Sequence, residues 1–158
     1  MSDKLQNLIG FQLVDITTEQ FATVPDEFNM EDGPVSLQTQ IGFDISRAGH
    51  ILSVFTKFHF FQNDKASILI SESGCHFLIG NDTWNNQTDE SSTSISFTPH
   101  FLTHLLVLSV GTARGIIHAN INSRKKKNGF DDLVLPTINV SDMVKEPQVF
   151  SLITDEEE

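Results

Sequence analysis

The chain has 158 residues, a formal net charge of -11, one cysteine and thirteen phenylalanines with no tyrosine. This length suits one domain with its own core, and the single Cys75 excludes an internal disulfide and a cysteine-built zinc site. The acidic balance argues against nucleic acid as a partner, because that affinity comes from Lys and Arg neutralising phosphates.

The opening "MSDKLQNLIG" lacks the basic flank and apolar stretch of a leader, and no run reaches the eighteen apolar residues of a membrane span. A cytoplasmic protein without membrane insertion is the expectation. Strands come first. "FQLVDI" (11–16) and "VSLQTQIGF" (35–43) are extended, and the second alternates, with Val35, Leu37, Ile41 and Phe43 sharing a face. "RAGH" and "QNDK" read as hairpin turns around "ILSVFTKFHFF". In "ASILISESGCHFLI", Ile68 and Ile70 are out of phase with Cys75, Phe77 and Ile79, which predicts a bulge near Gly74. The meander has three long strands, with the N-terminal segment as a fourth.

"GNDTWNNQTDESSTSIS" is a polar loop with Trp84 as its anchor. A long helix follows, with Thr98 as N-cap, Pro99 at its first position, and an apolar stripe through Leu102, Leu105, Leu106, Ser109, Val110, Ala113, Ile116 and Ile117. It is apolar around so much of its girth that a second subunit is expected to cover part of it, with Leu105, Ser109, Ala113 and Ile116 at the subunit contact. A basic loop, "NSRKKKNGFDD", leads into an apolar extended crossover, "LVLPTINVSDMV" (133–144), and a short helical turn capped by Ser141. Residues 1–150 form one domain, and 151–158 an acidic tail expected to be disordered.

No phosphate-cradling loop, nucleophile elbow or zinc-protease signature is present, so no enzyme activity, metal or cofactor is expected. His100 and His104 lie one helical turn apart without a carboxylate in the same stretch, and His59 and His76 fall on neighbouring strands with nothing nearby in sequence to orient them.

The order of elements resembles the SecB family of protein-export chaperones over residues 11–144. The likeness is carried by "TARGII" (112–117) with "LVLPTINVSDM" (133–143), and by "FQLVDITTEQF" with "GPVSLQTQI". The resemblance implies an α+β fold, an antiparallel four-stranded sheet with one long helix, an extended crossover and a short C-terminal helix. It also implies a tetramer built as a dimer of dimers, with helices sandwiched between sheets. The implied function is ATP-independent holding of unfolded or pre-export polypeptides in a hydrophobic groove, matched here by Leu37, Ile41, Leu133, Leu135 and Ile138. Arg114 matches a helix arginine expected to form a structural or inter-subunit ion pair rather than to touch a client. Ile70 stands where the family carries an acidic residue that docks the motor SecA, with Glu72 two positions away. Two alternatives remain open: a dedicated chaperone of one partner, such as a toxin-antitoxin component, and a small-molecule-binding α+β domain.

Overall fold

The computed structural model describes residues 10–152. Strand β1 (Phe11–Thr23) is followed by β2 (Val35–Ser46), β3 (Ile51–Gln62) and β4 (Ala66–Ile79). A short helix α1 (Asn81–Gln87), strand β5 (Ser94–Phe97), the long helix α2 (Pro99–Asn122) and strand β6 (Gln148–Ser151) complete the order. The four long strands form one antiparallel sheet in the order β1-β4-β3-β2, and β5 pairs with β6 in a separate ribbon. This is the expected α+β arrangement of a four-stranded sheet and one long helix.

The meander follows from strict alternation and turn chemistry. Leu52, Val54, Thr56, Phe58 and Phe60 all point to one side of β3 and are buried. Asn63, Asp64 and Lys65 make the β3–β4 turn, in which the Lys65 amide donates to the Gln62 carbonyl; Asn63 and Asp64 are both at positive φ (57° and 56°), which these side chains tolerate. The β2–β3 turn ends at His50, also at positive φ, whose ring stacks on Trp84 at 4.3 Å and 7° between planes. Trp84 is buried and anchors α1 to the end of the sheet.

Helix α2 starts as the sequence requires. Thr98 accepts a hydrogen bond from the Phe101 amide and Pro99 occupies the first turn. Phe101, Leu102, Leu105, Leu106, Ser109, Val110, Ala113, Ile117 and Ile121 are buried, and the helix packs on β3 and β4. Each fully buried large aliphatic contributes about 1.5–3 kcal/mol, so this face holds the layers together. By length and composition α2 could cross a membrane, with a mean hydropathy of 1.3. Of that apolar stretch, 44% is buried inside the chain.

Several expectations change. The bulge lies at Ile68, not near Gly74, because Phe60 pairs with Leu69 and Phe61 with Ser67. From Leu69 onward the inward face of β4 is Leu69, Ser71, Ser73, Cys75, Phe77 and Ile79 in one unbroken phase; its two serines mimic a register break. The segment expected as a polar loop contains α1 and β5, with Ile95 and Phe97 buried. The C-terminal helical turn is a 3-10 turn, Val140–Asp142, whose cap is Asn139 rather than Ser141. The last expected tail residues, 153–158, lie outside the described residues.

Candidate functional site

The crossover runs beside α2, and Arg114 fixes the distance between them. Its Nε donates to the Leu135 carbonyl (3.2 Å) and its Nη2 to the Pro136 carbonyl (3.0 Å). Within the chain, no carboxylate among the described residues is its partner, and the extended crossover beside the helix offers backbone acceptors instead. Leu133 and Leu135 turn inward and are buried, while Val134 between them is 64% exposed. The alternation is that of a strand with one dry and one wet side.

Between helix and crossover lies an open cleft of about 380 Å³, floored by Gly111 and Gly115, walled by Leu133, Val134 and Leu135, and edged by Arg114 and His118. Side chains added at either glycine would meet nothing within 4 Å. Val107 and Leu108, one turn before Gly111, are also exposed (51% and 41%), so the apolar surface continues along the helix.

The far end of the crossover is pinned. Gly129 (φ 85°) lies so close to the Phe28 carbonyl that a Cβ there would collide with it. Phe130 stacks on Phe28 at 5.7 Å, and the Phe28 amide donates to the Asn128 carbonyl. Arg124 is the one cation of the basic run that folds inward, donating from Nη1 to Thr23 Oγ1 and lying over the rings of Phe21 and Phe130. Lys125, Lys126 and Lys127 are exposed.

Of the five groove candidates, Leu133 and Leu135 line this cleft, and each shows it only a small part of its surface. Leu37, Ile41 and Ile138 do not line it; they are half-buried against the core. Leu37 and Ile41 belong to the inward face of β2, opposite Phe60 and Thr56. The subunit-contact candidates need correction. Leu105, Ser109 and Ala113 are 0%, 1% and 1% exposed within the single chain, which leaves no surface on them for a neighbour; Ile116 is half-buried. Glycines Gly111 and Gly115 and the exposed Val134 were missed as groove residues. The signal that could have found them was a pair of glycines at i and i+4 in an otherwise strong helix.

Among the described residues, no three His, Cys, Asp or Glu side chains cluster as metal ligands. His100 and His104 are both exposed on α2, and the His104 ring meets Phe11 edge-on. His59 and His76 do not meet, since His59 pairs across with Ile70 and His76 with Ser53. Burial, then Lys57, lowers the pKa of His59. His76 bonds Thr17 Oγ1 through Nε2 (2.9 Å) and Ser53 Oγ through Nδ1 (2.7 Å), while Thr17 donates to Glu19. The Glu19 carboxylate can only accept. The chain of donors therefore runs from Ser53 to His76 to Thr17 to Glu19, tying β3, β4 and β1 across the open face of the sheet. Ser53 sits on an inner strand paired on both sides, so its neighbouring amides are spent in the ladder and unavailable to hold an oxyanion.

No family model and no curated protein matches the chain. Among solved structures, the chain is similar to the Mycobacterium tuberculosis Rv1957 SecB-like chaperone in complex with a ChAD peptide from the Rv1956 HigA1 antitoxin, at 12% identity over 82% of this chain and 91% of that one, with a TM-score of 0.48.

Proposed function

We propose that the protein is an ATP-independent holdase chaperone that takes extended, unfolded segments of other polypeptides into the cleft between α2 and the crossover. The observation that carries this reading is the cleft: open, apolar-walled, with a helix floor kept free of side chains at Gly111 and Gly115. Unfolded chains expose apolar side chains in extended conformation, and a receptor for them needs continuous apolar surface that an isolated monomer ordinarily avoids. Val107, Leu108 and Val134 supply it. The net charge of -11 keeps such a surface soluble. In this reading the protein works in the cytoplasm without cofactor or catalysis, as a homo-oligomer of SecB-like type that hands clients to export. Docking of SecA is not part of the proposal, because the sheet carries Ile70 at the docking position.

The test is dilution of a denatured, reduced client into buffer with and without stoichiometric protein, no nucleotide added, with complex mass read by light scattering. Suppressed aggregation by a protein that ignores the native client is the expected result. No suppression of any client overturns the reading. Suppression for one partner alone moves the function to a dedicated chaperone.

A further inference from the structure

The cleft holds one unspent cation. Arg114 uses one edge of its guanidinium, Nε and one Nη2 proton, to grip the crossover carbonyls. Among the described residues, both protons of Nη1 and the second proton of Nη2 have no partner. The remaining Nη1–Nη2 edge is the fork that pairs with a carboxylate through two parallel hydrogen bonds. Arg114 as a residue is half-buried, its Nε bond partly covered and its Nη2 bond exposed at the edge of the cleft, so the free edge of the guanidinium is open to an arriving ligand.

The chain as a whole is acidic. It carries 21 carboxylates, yet none lies between Pro99 and Asn122, whose ionisable groups are Arg114 and three histidines. Asp131 and Asp132, in the turn that precedes Leu133, are exposed and neither is a partner of Arg114. An acidic protein has thus left an arginine fork unpaired beside its apolar cleft.

We infer that the cleft selects extended segments in which apolar residues are flanked by a carboxylate, an Asp or Glu side chain or a chain terminus, with the free fork of Arg114 as the recognising group. This rests on the polypeptide-binding reading above and narrows its ligand. Apolar side chains lie against Leu133, Val134 and Leu135, and the carboxylate is received by Nη1 and Nη2. Charge complementarity at this one position opposes the long-range field of the whole molecule, which repels anions.

That opposition makes the sign of one comparison decisive. Two fluorescein-labelled twelve-residue peptides share an apolar core and carry either Asp or Lys at both flanks; their affinities are read by anisotropy at low and high salt. The wild-type protein is expected to bind the Asp-flanked peptide roughly three- to tenfold more tightly, a ratio that grows with salt because the long-range repulsion of the net charge is screened before the close contact with Arg114. Arg114→Gln reverses the order, because only the net charge remains. Arg114→Lys, which keeps the charge without the fork, retains the order at a smaller ratio; this variant decides the matter if amide exchange shows the crossover loosened in Arg114→Gln. Equal affinities, or tighter binding of the Lys-flanked peptide to wild type, overturn the selectivity and leave the groove intact. Failure of both peptides to bind overturns the groove itself.

Discussion

Replacing both floor glycines with alanine should make the protein more stable and, under the proposed function, a poorer binder of unfolded chains. Glycine in a helix interior costs about 1 kcal/mol relative to alanine, because the unfolded chain has more freedom to lose. That cost is normally recovered where the missing side chain allows close approach, but a Cβ at Gly111 or Gly115 meets nothing within 4 Å. The double variant Gly111→Ala/Gly115→Ala is therefore expected to gain about 2 kcal/mol, and in a domain of this size about 2–4 °C per kcal/mol gives a rise in Tm of roughly 4–8 °C. Two methyl groups then stand on the floor of the cleft and narrow it, so suppression of client aggregation should weaken. Gly115→Leu should abolish it with the fold retained. Scanning calorimetry and the dilution assay read the two effects separately. A Tm that stays level or falls would refute the reasoning, since it would mean that another surface already occupies the space above the glycines. A raised Tm with unchanged client capture would show that clients do not read the floor.

The two sides of the crossover should respond oppositely to charge. Val134→Asp is expected to fold normally and lose client capture, whereas Leu135→Asp places an unpaired charge at a 2% exposed position and should cost about 3–5 kcal/mol, read by urea denaturation. Ser71 Oγ is buried in the sheet's inward face without a hydrogen-bond partner among the described residues, so Ser71→Ala should stabilise by about 1 kcal/mol in the same assay. Gly129→Ala should cost about 2 kcal/mol or more, because its φ of 85° disfavours a side chain and the Cβ would strike the Phe28 carbonyl. Asp89 accepts hydrogen bonds from Thr93, Ser94 and Ser91, the Thr93 hydroxyl foremost, which lowers its pKa from 3.8 to about 2. Its stabilising effect is thus complete above pH 3.8 and lost as pH falls through about 2; amide exchange at Thr93 and Ser94 should speed up in that window in wild type, and already at neutral pH in Asp89→Asn.

The parts of this fold that could be read from the sequence are those where one physical signal dominates. β3 alternates in burial from Ile51 to Phe60 with Thr56 its one polar inward residue, and α2 carries a cap, a proline and a broad stripe, so both appear where periodicity places them. β4 misled because Ser71 and Ser73 occupy inward positions that periodicity reserves for apolar residues. The β5–β6 ribbon was hidden because each strand has four residues, too few for alternation to stand out, and because their pairing joins Ser94 to Ser151 across the helix. The site was half legible. The apolar strip at 133–135 was visible, but which of its residues face the helix depends on phase, and the cleft owes its shape to glycines, which a hydrophobicity pattern does not register. The helix residues assigned to a subunit contact failed for the same reason: the stripe that looks most apolar is the one the chain's own sheet claims first.

The sheet order has a bearing on when the molecule becomes able to act. β2, β3 and β4 are joined by tight turns and close only short loops, whereas β1 must find β4 across the whole meander, and β6 must return to β5 past the long helix. Loop-closure entropy puts the local hairpins first and the distant pairings last. Leu133, Val134 and Leu135 lie in the last quarter of the chain, so during synthesis the meander, which ends at Ile79, has left the ribosome before the crossover is made. The apolar cleft is then assembled after the meander, with only the β5–β6 pairing still to follow. Pulse-labelled hydrogen exchange during refolding should protect the amides of β3 and β4 before those of β5 and β6, and simultaneous protection of all four strands would contradict this order.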